Sequence, residues 1–230
     1  MAYDLEEQEQ IATFKAFWSR FGSLITWVLI AALGSFAAYN FWNSHKRTQS
    51  VEASALYDEL QVAVGANDNA KAQRIAGDIQ EKYDSTAYAQ MAALGAAKVA
   101  FDANDLKTAK SRLQWVVEHG NDEYKAIAKL RLAGVLLDEK AYDAALKLLD
   151  DAIPAQFTAL AADRKGDVLV AQNKLAEARQ AYVAALAAMP KDSPGRQLVT
   201  VKLEAIGGTA PASANDTNAA NDAKAAAAAA

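Results

Sequence analysis

The chain has 230 residues and a net charge of −4, from 24 basic and 28 acidic side chains. It lacks cysteine, which excludes disulfides and thiolate metal sites, and it has no excess of basic residues of the kind that nucleic-acid binding requires. Its 4 prolines and 11 glycines among many Ala, Leu, Lys, Asp and Glu residues are typical of an all-α protein.

Residues 1–20 form an acidic leader whose apolar side chains follow a helical spacing. Their spacings of three and four positions would place them on a helix as one stripe, formed by Ile11, Phe14, Phe17, Trp18 and Phe21. Beside a membrane span, such a stripe predicts a helix that lies in the lipid interface, with Trp18 at headgroup depth. The alternative is a face that docks onto a partner protein.

Residues 21–44 contain no charged side chain, and as a helix they would extend about 36 Å, enough for a hydrocarbon core of about 30 Å. Their Leu, Ile, Val and Phe side chains together favour membrane insertion by about 3 to 5 kcal/mol. We therefore predict one transmembrane helix in contact with the lipid bilayer. The alternatives are a buried core helix, which would normally keep a polar stripe, and a signal peptide, which would have a basic leader.

The predicted span suggests a packing face but leaves its orientation open. Gly34 and Ala38 are small residues four positions apart, a spacing that lets another membrane helix approach closely. Basic residues normally mark the cytoplasmic flank, but one Lys and one Arg stand on each side of this span. Charge alone therefore does not say which side of the membrane holds the rest of the chain.

From residue 51 onward the sequence alternates between amphipathic segments and short groups of turn residues. These groups predict helix breaks near residues 65–69, 84–85, 103–104, 120–121, 139–140, 153–154, 173 and 190–194. Separate helices are expected at residues 51–64 and 70–83, and a terminal helix at residues 195–206. No segment keeps a period of two, so no sheet is predicted.

Residues 160–190 match the spacing of a tetratricopeptide repeat. Small residues stand where two helices would touch, an aromatic residue fills a gap, and a proline ends the second helix. The residues concerned are Gly166, Ala178, Tyr182, Ala185 and Pro190. Two earlier units match in register but have Ala in place of Gly. We predict a tetratricopeptide-like α-solenoid of helical hairpins over residues 45–207, followed by a disordered low-complexity tail at residues 208–230; the alternative is a generic α-solenoid or bundle.

The sequence contains no recognisable catalytic or metal-binding pattern. His45 and His119 have no second ligand at metal-binding spacing, and the paired carboxylates stand at predicted helix ends, where solvent exposure explains them. We therefore expect a protein that is not an enzyme and that uses no metal or cofactor.

A solenoid of this kind binds proteins on its concave side, which the first helix of each hairpin lines. The helical register places ten residues there: Leu94, Lys98, Phe101, Asp102, Leu130, Leu137, Asp138, Asp163, Asp167 and Val170. Leu94, Leu130 and Val170 could equally belong to the core. The pairs Phe101–Asp102 and Leu137–Asp138 are the strongest candidates, because two units repeat an apolar residue followed by an acid.

Two short runs resemble a known bacterial family. Residues 41–45 read Phe-Trp-Asn-Ser-His at the end of the span, and residues 162–166 read Ala-Asp-x-x-Gly. With the acidic leader, the single N-terminal span and the helical repeats, the chain resembles the YfgM-like family of ancillary subunits of the bacterial Sec translocon. The resemblance covers about residues 4–206, and the tail after residue 207 departs from it.

The resemblance implies a single-pass inner-membrane protein with its leader in the cytoplasm and its helical domain in the periplasm. It also implies two protein partners, the Sec translocon and a membrane-anchored periplasmic chaperone of the prolyl-isomerase type. We expect a protein-binding scaffold that links the channel to chaperones for exported proteins. The alternatives are an envelope-organising module that acts by self-association and a tetratricopeptide adaptor that faces the cytoplasm.

Overall fold

A computed structural model describes the backbone of residues 3–209 and the side chains of residues 11–209. Most of the predicted tail lies outside the described residues. Within them the chain is helical and forms no strand, as the sequence predicts. Two units are described in turn, residues 1–54 and residues 55–230.

The first unit is helical from Tyr3 onward, as part of helix α1, Tyr3–Gly65. Large apolar side chains of this unit are exposed, such as Trp27 at 70 % and Phe36 at 66 %. Among the described residues, Ile11–Gly65 is the only helical stretch apolar and long enough to cross a membrane, with a mean hydropathy of 1.9 in its best window. In lipid these exposed side chains would face hydrocarbon, so their exposure is consistent with a membrane span.

No separate helix begins at residue 51. Residues 51–64 belong to α1, which ends at Gly65. No Gly or Pro occurs between Ser35 and Val64, so the local sequence offers no break there. The expectation of a separate helix at this point was wrong, whereas the break predicted at residues 65–69 is present.

The second unit contains the end of α1 and eight further α-helices among the described residues. They are α2 Asn69–Lys82, α3 Ala87–Asp102, α4 Leu106–His119, α5 Asp122–Asp138, α6 Tyr142–Asp150, α7 Thr158–Ala171, α8 Leu175–Ala188 and α9 Gly195–Ala205. A short 3₁₀ turn at Ala155–Phe157 precedes α7. Each break predicted from the sequence falls between two of these helices.

The breaks are produced by local chemistry. Asn67, Asn104 and Asn173 adopt positive φ angles of 54°, 59° and 60°, a conformation that asparagine tolerates better than most residues. At the following helix starts, the side chains of Asp68 and Asp105 accept hydrogen bonds from backbone N–H groups. These turns and caps reverse the chain between the helices of successive hairpins.

Successive hairpins contact one another through their first helices and also through the second helix of one hairpin and the first helix of the next, α4 with α5 and α6 with α7. Helices α3, α5 and α7 contact one another in order, and each also packs on the helix that follows it. Buried side chains form a chain of three clusters rather than one centre, with Ile79, Val116 and Leu186 as members of successive clusters. Such a series of local cores is typical of a solenoid, in which each repeat contacts its neighbours.

The last hairpin shows why its repeat signature contains a glycine. The Tyr182 ring of α8 lies against Gly166 of α7, and a Cβ atom added to Gly166 would be 2.3 Å from Tyr182 Cε1. Ala178 and Ala185, the small residues of the signature, are fully buried. The close approach of α7 and α8 therefore depends on the absence of a side chain at residue 166.

Candidate protein-binding groove

A cavity of about 280 Å³ opens between the first helices of three successive hairpins. Its lining comes from α3, α5 and α7, with one residue from α4. The lining residues are Ala97, Lys98, Phe101, Leu113, Arg131, Gly134, Val135, Leu137, Asp138 and Arg164. We call this cavity the groove. It lies on the helices that the sequence predicts to form a binding surface.

Four of the ten predicted binding residues line the groove: Lys98, Phe101, Leu137 and Asp138. Phe101 is 42 % exposed, a large fraction for an aromatic side chain in a helical domain. Asp102 does not line the groove, but its carboxylate forms an ion pair with Lys98 one helical turn earlier. These residues therefore lie together at one part of the surface, with an apolar component from Phe101 and Leu137.

Three apolar residues from the same prediction lie on the core side. Leu94 is 6 % exposed, and Leu130 packs against the same central cluster. Val170 packs against the last cluster, which joins α7, α8 and α9. All three side chains therefore pack in or against the hydrophobic core and do not line the groove.

The two remaining predicted residues, Asp163 and Asp167, belong to an ion cluster beside the groove. The Lys202 ammonium of α9 lies 2.8 Å from a carboxylate oxygen of each. The Tyr182 hydroxyl donates a 2.9 Å hydrogen bond to Asp167, and burial, followed by this bond, raises the pKa of Tyr182. The cluster fastens α9 to α7 and α8, which is a structural role.

Sequence reasoning missed two arginines and a glycine in the groove. The Arg164 guanidinium lies across Gly134, with its Cζ atom 3.9 Å from where a Cβ of residue 134 would stand. Arg131 Nη1 donates a 3.4 Å hydrogen bond to the carbonyl oxygen of Leu94 on α3. A signal for two of them was available in the sequence, because residues 131 and 134 share one helical face with the predicted Asp138.

Basic residues outnumber acidic residues in the lining of the groove, but two of them are neutralised within the chain. Among its lining residues Lys98, Arg131 and Arg164 are basic, and Asp138 is the one acid. Asp102 neutralises part of the Lys98 charge, and Arg164 lies 3.5 Å from Asp167, whose carboxylate Lys202 already contacts. Among the described residues, this leaves Arg131 and Asp138 as the charged lining residues without an ion pair.

The described residues hold no group of three or more His, Cys, Asp or Glu side chains that could bind a metal ion. His119 stacks on Trp115 with ring centroids 4.7 Å apart, and its Nδ1 lies 3.0 Å from the Trp115 carbonyl oxygen. This position at the end of α4 suits a histidine that stabilises a helix terminus. What the groove offers chemically is recognition by charge and apolar contact.

Comparison with known proteins identifies relatives over most of the chain. A family model described as a tetratricopeptide repeat-like domain matches residues 15–208. A protein of Neisseria gonorrhoeae named ancillary SecYEG translocon subunit is 36 % identical over 210 residues, covering 90 % of this chain and 100 % of the relative. Proteins of the same name from Haemophilus influenzae and Escherichia coli are each 31 % identical, over 79 % and 77 % of this chain and 89 % and 86 % of their own lengths.

Proposed function

This chain belongs to the family of ancillary SecYEG translocon subunits, and we propose that it is a membrane-anchored scaffold that binds proteins beside the translocon at the bacterial inner membrane. The observation that carries the proposal is the groove between α3, α5 and α7, on a chain that also has a membrane-competent helix. Its relatives are named as subunits of a transport channel, which supports a role in binding rather than catalysis.

Tethering gives such a scaffold a physical advantage. The chain has nearly balanced charges, so long-range electrostatic steering toward a partner is weak. Confinement to the same membrane raises the effective concentration of a partner to about the millimolar range without any new contact. A groove with a low affinity for its partner can therefore remain occupied when the partner is in the same membrane.

We further propose that the leader, residues 1–20, is cytoplasmic and that the helical domain, residues 45–207, is periplasmic. The two flanks of the span carry equal numbers of basic residues, so this orientation is supported only by the resemblance of residues 41–45 to the family. In this orientation the groove lies in the periplasm, the compartment that exported proteins enter. We infer that the helical domain links the translocon to a membrane-anchored periplasmic chaperone of the prolyl-isomerase type.

A topology experiment tests the orientation. A reporter enzyme that is active only after export is fused after Gly207, and a second copy is fused before Asp4. Activity of the first fusion and inactivity of the second are expected. The reverse result would place the helical domain in the cytoplasm and would favour a cytoplasmic adaptor.

Co-purification tests the partners. The full chain, tagged and expressed at its native level, is extracted in mild detergent, and bound proteins are identified by mass spectrometry. Channel subunits and a periplasmic chaperone should be recovered. Recovery of neither from intact bait would refute the scaffold, and recovery of the bait alone as a stable oligomer would favour the envelope-organising alternative.

A further inference from the structure

The groove combines one arginine that forms no ion pair, Arg131, with an apolar wall. Its lining contains three basic residues and one acidic residue, and its apolar wall includes Phe101, Val135 and Leu137. This composition complements a ligand that carries carboxylates next to apolar side chains. Two basic groups, Lys98 and Arg164, already have carboxylates nearby within the chain.

Arg131 is the basic residue without a carboxylate partner. Among the residues whose side chains the structure describes, the polar contact of Arg131 is the 3.4 Å hydrogen bond that Nη1 donates to the Leu94 carbonyl oxygen. A guanidinium has five N–H donors in a fixed planar arrangement that matches a carboxylate. Arg131 therefore keeps most of its donors available in the wall of the groove.

We propose that the groove binds an acidic peptide segment of a partner protein, with a Glu or Asp side chain on Arg131 and a neighbouring apolar side chain against Phe101 and Leu137. This assignment rests on the proposed function, because it names the ligand of the same protein-binding groove. Asp138, at the end of α5, is the acid in the lining and repels such a segment. It limits affinity, so removal of its charge should strengthen binding.

The groove is lined by helices of three different hairpins, which favours a segment that runs across them over a chain terminus held at one point. We therefore assign the carboxylate to side chains within the segment and not to a free C-terminus. The distinction is testable, because a peptide blocked at both ends keeps its side-chain carboxylates and lacks a free C-terminal carboxylate.

The probe is a fluorescent decapeptide in which Glu alternates with Leu, blocked at both ends, and its partner in which Gln replaces Glu. Binding to the full chain in detergent micelles is measured by fluorescence anisotropy. The Glu peptide should bind at least about tenfold more tightly than the Gln peptide, as expected for charge-assisted hydrogen bonds to an arginine. Added salt should reduce the difference.

Three variants sharpen the test. Arg131→Gln should weaken binding of the Glu peptide by about tenfold. Arg74→Gln is the matched control, because Arg74 is an exposed arginine of α2 that does not line the groove. Asp138→Asn should tighten binding of the Glu peptide a few-fold, and a gain of affinity cannot arise from loss of folding.

The assignment is overturned if the two peptides bind equally, if neither binds, or if Arg74→Gln weakens binding as much as Arg131→Gln. A neutral peptide with a free C-terminus that binds as tightly as the blocked Glu peptide would also overturn it. These failures are separable from failure of the scaffold function. If only the peptide assignment fails, the wild-type chain still recovers channel subunits from membranes. If the scaffold function itself fails, it does not.

Discussion

The contact between Gly166 and Tyr182 allows a quantitative test of how the last hairpin packs. In Gly166→Ala, the new methyl group would stand 2.3 Å from Tyr182 Cε1. Carbon atoms pack at about 3.5–4.0 Å, so the ring would have to move by more than about 1 Å. Tyr182 is 2 % exposed, and its hydroxyl is bonded to Asp167, so the ring has little room to yield.

Two opposing effects determine the expected change. Overpacking of a core costs typically about 1–3 kcal/mol, and replacing Gly by Ala inside a helix gains about 1 kcal/mol. With a ring this confined we expect the upper end of the cost, so Gly166→Ala should be destabilised by about 2 kcal/mol. The matched control is Gly134→Ala, where the nearest atoms are 3.9 Å away and only the helical gain remains.

The assay is urea unfolding of the full chain in detergent, followed by far-ultraviolet circular dichroism. The detergent keeps the membrane helix folded, so the transition reports the soluble helices. Gly166→Ala and Gly134→Ala should differ by about 3 kcal/mol, with opposite signs relative to the wild type. In a Tyr182→Ala background the cost of the added methyl group should disappear. Equal stability of the two glycine variants would refute the argument from close packing.

Three further predictions follow from other contacts. The hydrogen bond from Lys129 lowers the pKa of Asp151 below its ordinary value of 3.8, so its stabilisation is present above that pH and is lost as the pH falls through the folded pKa. Asp151→Asn should lower the urea midpoint at neutral pH and leave it unchanged at a pH below the folded pKa of Asp151. An equal decrease of the midpoint at every pH would contradict this. Lys202→Met removes the ammonium that Asp163 and Asp167 share; Asp163 then loses its ion pair, whereas Asp167 keeps Arg164 at 3.5 Å. The variant should cost about 1–3 kcal/mol of stability and accelerate hydrogen exchange in α9, and unchanged exchange would contradict this. Replacing the membrane span with an unrelated one should preserve part of the partner recovery if tethering dominates and almost none if Gly34 and Ala38 make specific contacts, whereas equal affinity of a detached domain would contradict both.

The helix boundaries were largely predictable because short segments determine them. An Asn at a positive φ angle, or an Asp that caps the next helix, acts within three or four residues and needs no distant partner. The one misplaced boundary, before residue 51, arose where the sequence has no breaker. The composition changes near that point from lipid-facing to water-facing, while the backbone remains helical.

The groove was only partly predictable, because one helical face holds both core and surface residues. Leu94 and Phe101 are two turns apart on α3, yet Leu94 is buried and Phe101 is 42 % exposed. The difference in exposure depends on how neighbouring helices cover each turn of α3. That coverage is a property of the packing between hairpins. Of the basic residues in the groove, Lys98 was predicted, whereas Arg131 and Arg164 were not, because the repeated pairs of an apolar residue and an acid mark only residues 101–102 and 137–138.

By itself, the sequence determined the membrane-competent segment, the all-helical class and the repeat, since each depends on the composition or spacing of neighbouring residues. The tertiary structure decided which charges meet. Arg131 and Arg164 belong to different hairpins, and both line the groove only because α5 and α7 pack side by side. The same packing directs Asp163 and Asp167 toward Lys202 of α9 and away from the groove. Such contacts form between residues far apart in the chain, so no local spacing encodes them.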